Sequence, residues 1–225
     1  HREESDRIQF LNGIWKFKYF DSIYDVKEEF YKDGFDTSGY VDMKVPSVWQ
    51  NEGYDNHQYI NIKYPFPFDP PFVPHDIPCG AYVYDFEYKK DEDAIKAFVN
   101  FEGVDSCFYL WLNGSYIGYS QVSHATDEFD ITEILNEGKN TIAVLVLKWC
   151  DGSYLEDQDK FRMSGIFRDV YILKRPEKAI RDYSITTYIE KERAGIDIVA
   201  EYTQTVSIKL TLEDKNGAVI ANGVI

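Results

Sequence analysis

Seven of the eight prolines in this 225-residue chain fall within residues 46–78. Proline has a fixed φ and no backbone N–H, so a stretch this rich in it is barred from helix interiors and central strands. The regular core must therefore come from the remainder of the chain. Structureless loops of such length are uncommon in compact domains unless they serve a function. This one also carries Trp49, Tyr54, Tyr59, Tyr64, Phe66, Phe68 and Phe72, enough apolar surface to pack down as an ordered, irregular loop.

Around that loop the apolar residues recur with period two. Trp15, Phe17 and Tyr19 share one face of a strand and Lys16 and Lys18 the other, the signature of a half-buried strand. Further strands are expected at residues 40–45, 81–88, 97–102, 106–112, 115–120, 126–130, 140–148 and 168–174. Asn113-Gly114 is a strong hairpin signal, because a primed two-residue turn needs positive φ at both positions. Residues 26–31 read as a short helix or turn, and residues 130–135 as one helical turn closed by Asn136-Glu137-Gly138. Aromatics at 16% of the chain favour strands over helices, and no β-α-β alternation appears. The expected fold is all-β: an antiparallel jelly-roll sandwich of eight to ten strands over residues 1–177. Past Lys174-Arg175-Pro176 a second series begins, at 180–190, 196–204, 206–212 and 218–225. Residues 178–225 are expected to be the first strands of an immunoglobulin-like sandwich, about half of what closes such a core, as if cut from something longer.

Charge narrows the partners. With 24 Lys+Arg against 39 Asp+Glu the net charge is −15, a field that opposes nucleic acid and anionic membrane surfaces. The apolar run at 142–147 is far shorter than the roughly 20 residues of a membrane span, and the opening HREESDRIQF is charged where a secretion signal is apolar. A cytoplasmic protein is expected. The three cysteines lack a C-x-x-C pair and are expected to be buried free thiols. His57, His75 and His124 have no zinc-like spacing.

The most unusual segment is DGSYLEDQDKFRMSGIFRDV at residues 151–170, in which Glu156, Asp157 and Asp159 lie within four residues. Such density costs repulsion unless a cation or an arginine offsets it. From residue types alone, a solvated acidic loop paired with Arg162 and Arg168 and a binding site both stand. A glycosidic carboxylate pair must flank the scissile bond from two sides, and neighbours in one loop have no scaffold for that.

The ordered series LNGIWKF, VPSVWQNEGYDNHQYINIKYP, PPFVP, FEGVDSCFYLWLNGSYIGYSQ, EFDIT and DGSYLEDQDKFRMSGIFRDV resembles the N-terminal region of the glycoside hydrolase family 2 β-galactosidases over about residues 11–176. The resemblance implies a sugar-binding, galactose-binding-domain-like jelly roll. It further implies a parent enzyme that hydrolyses terminal β-D-galactosides such as lactose with retention, through two Glu on a barrel beyond this chain. No catalytic residue is then expected here, and the chain alone is expected to be inactive. Asp159 would meet a galactose hydroxyl and ligate sodium. Asn61 would hydrogen-bond substrate, with Tyr59 and Ile62 beside it. Gln121 and Asp151 would help bind a structural magnesium, and the parent would be a homo-oligomer. Lys160 and Phe161 stand where family members often carry Met and Trp. A stand-alone carbohydrate-binding module and a structural complementing subunit are the alternative roles.

Overall fold

In a computed structural model, residues 2–61, 63–156, 159–191 and 193–224 are described. Fourteen strands precede residue 176: β1 (Ile8–Phe10), β2 (Gly13–Phe20), β3 (Val41–Val45), β4 (Gln58–Ile60), β5 (Cys79–Tyr88), β6 (Lys96–Phe101), β7 (Val104–Asp105), β8 (Cys107–Leu112), β9 (Ser115–Ser120), β10 (Asp127–Asp130), β11 (Gly138–Leu147), β12 (Lys160–Arg162), β13 (Gly165–Ile166) and β14 (Val170–Arg175). Ten of them form two sheets, one ordered β1-β14-β6-β10 and the other β3-β2-β5-β11-β8-β9; β4 with β12 and β7 with β13 make two small ribbons. The fold is the expected all-β, antiparallel sandwich. Among the described residues the only helical pieces are 3-10 turns. One of them, Ile23–Asp25, is capped by the Ser22 side chain and lies just ahead of the helix or turn expected at 26–31. At 130–135 the expected helical turn is reduced to a turn closed by Leu135 N–H donating to Ile131 O at 2.9 Å.

The six-stranded sheet is covered on both faces, and alternation along its strands sorts the side chains. Tyr82, Phe86, Phe108, Leu110, Val144 and Val146 join Trp15, Phe17, Val99, Phe101 and Ile172 in the core between the sheets. Their neighbours Ala81, Val83, Cys107, Ala143, Leu145 and Leu147 face outward, where Phe20, Phe30 and Tyr40 cover them. Burial on both sides explains why β11 reads as a continuous apolar run rather than an alternating one. All three cysteines are free and buried, as the sequence suggested. The Asn113-Gly114 turn adopts positive φ at both residues, 50° and 77°, and pairs Leu112 with Ser115.

The proline-rich stretch is pinned at several points. Trp49 is fully buried, and its Nε1 donates to the Tyr82 hydroxyl at 2.6 Å. Ser47 N–H donates to Ile166 O and Trp49 N–H to Ser164 O, each at 2.9 Å, while Ser164 N–H donates to Gln50 Oε1 at 3.0 Å. Gly165 enters this joint at φ +124°, and a Cβ there would lie 3.0 Å from Ser47 O and 3.1 Å from the Tyr82 hydroxyl. Further along, the Tyr154 hydroxyl donates to Phe72 O at 2.6 Å and accepts from Asp69 N–H at 3.2 Å, with Tyr64, Phe66 and Phe68 packed around its ring. Asp55, in the left-handed region at φ 62°, pairs with Lys148 and also accepts from Gln50 Nε2 at 3.1 Å.

Two compact units divide at residues 174 and 175. The second holds β15 (Ile180–Glu190), β16 (Arg193–Tyr202), β17 (Lys209–Glu213) and β18 (Val219–Val224), as two separate antiparallel hairpins. Every residue of β15 is exposed. A lone two-stranded hairpin is marginally stable, so limited proteolysis should cut first within residues 175–193 and leave a resistant N-terminal fragment. Equal resistance throughout would contradict this.

The Lys148–Asp55 pair yields a second expectation, since their side chains are only 5% and 13% exposed. Lys148→Met would leave a buried carboxylate without its counter-charge and should cost about 3–5 kcal/mol in urea denaturation. Adding Asp55→Asn should recover part of the loss, because Asn tolerates the left-handed backbone.

Candidate functional site

The β4–β12 ribbon brings together segments about 100 positions apart. Its register sets Lys160 opposite Ile60, Phe161 opposite Tyr59 and Arg162 opposite Gln58. Because side chains alternate across a strand, His57, Tyr59 and Asn61 project on the same side as Asp159 and Phe161, and all five are exposed. Gln58, Ile60, Lys160 and Arg162 turn inward, Arg162 to 5% exposure.

On the outer face the Tyr59 hydroxyl donates to Asp159 Oδ1. That bond, with some burial and the carboxylate's charge, holds the Tyr59 phenol above its ordinary range, and the Asn61 side chain pulls the other way. The phenol therefore keeps its proton and remains a donor. Phe161 packs beside Tyr59 with ring centroids 5.5 Å apart, and His57 meets Phe161 edge-on at 6.4 Å. Three of the substrate-contact positions expected from the sequence thus meet on one surface: Tyr59, Asn61 and Asp159. Ile62 and the Asp157-Gln158 pair lie outside the described residues.

The turn ahead of β12 is fixed by Glu156. Its carboxylate accepts from Ser123 N–H at 2.9 Å and from Ser123 Oγ at 2.8 Å, while its main-chain oxygen accepts from Arg162 Nη1 at 2.8 Å. Glu156 is thus tied to the Ser123 turn and to β12 at once. Gln121 and Asp151 are neighbours through Gly152, where an added Cβ would stand 3.3 Å from Gln121 O. Gln121 Oε1 accepts from the Tyr119 hydroxyl at 2.7 Å, and Asp151 Oδ1 from Gly152 N–H at 3.0 Å. All these donors are hard oxygens, suited to sodium or magnesium. Among the described residues, however, no group of three or more His, Cys, Asp or Glu is placed to hold a metal. The exposed Asp159 carboxylate alone supplies no cage for an ion.

Sequence reasoning missed the Glu156–Ser123 clamp and the exposed pair His57 and Phe161. The clamp joins positions 33 apart and leaves no local trace. The rings were findable: once β4 is a strand, period two puts His57 on the face of Tyr59 and Asn61.

Under the ribbon lies Asp105, 8% exposed, with Lys160 Nζ 3.8 Å from its Oδ2 and Ser106 Oγ donating at 3.0 Å. Burial outweighs both partners and pushes its carboxyl from 3.8 up to about 6. The folded state then holds this proton more tightly than the unfolded chain, so its contribution is fully present below about pH 4 and is lost as pH rises through 6. The loss is on the order of 2–3 kcal/mol. Asp105→Asn should abolish that part of the stability slope, read as the difference between variant and wild-type denaturation free energies from pH 4 to 7. Parallel curves would refute it.

Comparison with known proteins gives three findings. The family model described as "Glycosyl hydrolases family 2, sugar binding domain" matches residues 8–176. The beta-galactosidases of Actinobacillus pleuropneumoniae and Staphylococcus xylosus are each 46% identical over 224 residues, covering 98% of this chain and 22% of theirs. This chain therefore spans about a fifth of the length of those relatives. Among solved structures, a beta-glucuronidase from an uncultured Clostridium sp. superposes over 98% of this chain and 38% of its own with a TM-score of 0.75 at 22% identity. A Ruminococcus gnavus b-glucuronidase covers 100% of this chain and 39% of its own at 0.73 and 16%. At such identities these two bear on the fold alone.

Proposed function

Because the chain belongs to glycosyl hydrolase family 2 through its sugar-binding domain, we propose that it is the N-terminal part of a retaining β-galactosidase and that the outer face of the β4–β12 ribbon reads the hydroxyls of a terminal β-galactoside. The observation that carries this reading is the exposed cluster in which the Tyr59 hydroxyl bonds Asp159 beside Asn61. Its support from relatives is the 46% identity to beta-galactosidases along nearly the whole chain.

The chemistry suits a neutral polyol. An ionised carboxylate only accepts, an amide donates and accepts, and a phenol does either, so the three together discriminate the direction of each sugar hydroxyl. A hydroxyl of the substrate displaces Tyr59 from one Asp159 oxygen or takes the other. Sodium held by Asp159 would supply charge balance and an electrophilic contact to the same hydroxyl. Magnesium at Gln121 and Asp151 belongs to the proposal as a structural ion.

Bond cleavage is assigned to parts of the parent outside this chain. Retention needs two carboxyls about 5–5.5 Å apart on opposite sides of the bond. Here Glu156 is committed to Ser123 and Asp159 to Tyr59. This chain's task is to wall and read the site, with the remaining domains of the parent and further copies of it as partners.

In the full-length enzyme, Asp159→Ala should lower kcat/KM for nitrophenyl β-galactoside by about ten- to a hundredfold, the scale of a lost charged hydrogen bond. The fold should be unchanged, since the side chain is exposed. Purified 225-residue chain should release no chromophore above buffer. Parental kinetics in the variant, or turnover by the chain alone that survives repurification, would overturn the assignment.

A further inference from the structure

The outer face of the ribbon is split into two halves of different chemistry. One half holds the Tyr59 hydroxyl, Asp159 and Asn61. The other holds the rings of Phe161 and His57, and Phe161 is 55% exposed. The split follows from chain geometry: Asp159 directly precedes β12 and Phe161 lies within it, and two residues of extended chain span about 6.6 Å. That is the scale of a single hexose ring with its substituents. A ligand seated on the polar half therefore lies within reach of the Phe161 ring without extending to a second sugar.

We propose that Phe161 is a specificity-determining residue, stacking against the C–H face of the sugar whose hydroxyls are read by Asp159, Asn61 and Tyr59. The inference rests on the β-galactoside reading above and names what that reading leaves open, the group that separates galactose from its epimer glucose. In a β-galactoside the axial 4-hydroxyl points to one face of the ring, and the hydrogens on carbons 1, 3, 4 and 5 crowd the other into one continuous apolar patch. In a glucoside the hydrogen on carbon 4 lies on the opposite face and the patch is broken. An aromatic ring, with its negative face and large apolar area, is complementary to the first patch more than to the second. The hydroxyl readers test the direction of each hydroxyl, and the ring adds a second test, of the apolar face on the other side of the sugar.

Two features hold Phe161 in place for this task. Its strand pairs residue for residue with β4, so the ring is set against Tyr59 at 5.5 Å. The flanking residues Lys160 and Arg162 face inward, where Lys160 meets Asp105 and Arg162 bonds the Glu156 carbonyl. Rotation of the strand that would turn the ring away would have to expose those charges' partners to loss.

The test is steady-state kinetics of the full-length enzyme carrying Phe161→Ala and, separately, Phe161→Trp, on nitrophenyl β-galactoside and β-glucoside. Phe161→Ala should lower kcat/KM for the galactoside about tenfold, the scale of one lost ring contact, mainly through KM, and leave the glucoside nearly unchanged, so that the preference between epimers falls by the same factor. Phe161→Trp should restore it. An unchanged epimer preference in an active Phe161→Ala enzyme overturns the role of the ring while leaving the β-galactoside reading intact. An equal fall on both substrates that Trp does not restore also overturns it, as the mark of a merely structural side chain. Full-length wild-type protein without activity on β-galactosides removes the reading itself and this inference with it.

Discussion

The Tyr82 hydroxyl is the point at which the sandwich takes hold of its irregular segments. It is fully buried, it accepts from Trp49 Nε1, and the Ile166 main chain also bonds to it. Burial pushes its phenol far above the ordinary range, so the neutral hydroxyl is the favoured form. A buried hydroxyl must be hydrogen-bonded or cost its desolvation, and here the bonds go to the two stretches that later form the ribbon. Residues 47–50 and 164–166 run against each other at this joint, and β4 and β12 zip the same two stretches together again at the surface. The ribbon is thus held at its base and at its tip, which is how side chains on loops come to share the precision of a sheet.

The ribbon also shows how one pattern serves two ends. Its period-two alternation turns charged Lys160 and Arg162 beneath and leaves rings and polar side chains above. In an ordinary half-buried strand the apolar residues would go inside. Their inversion here is affordable only because the inward charges find partners in Asp105 and in main-chain oxygen. Apolar rings turned to solvent over inward-facing charges are the mark of a surface that something else can cover.

Much of the sandwich was legible because its signals are local. β9 falls where alternation placed it, and the Asn113-Gly114 turn adopts the conformation its two residues favour. β4 and β12 were not legible as strands: three residues each carry too little pattern, and β4 lies inside the stretch that its prolines set apart. Order in that stretch could be argued from its aromatics, but not that Trp49 would find Tyr82 or that Tyr154 would clasp Phe72. The meeting of Tyr59, Asn61 and Asp159 followed from family resemblance rather than from spacing. Nothing local in YINIKYP or LEDQD says that the two will touch.

The bond between Tyr59 and Asp159 closes a loop of 100 residues, and that separation bears on the order of events during folding. Contacts so distant in sequence cost chain entropy before they return any energy, and a ribbon of three-residue strands returns little. The two halves of the ribbon are separated in the chain by β5 to β11, so pairing of those strands shortens the loop that the ribbon has to close. The meeting of Tyr59 with Asp159 thus depends on the assembly of the sandwich between them rather than on either short segment by itself.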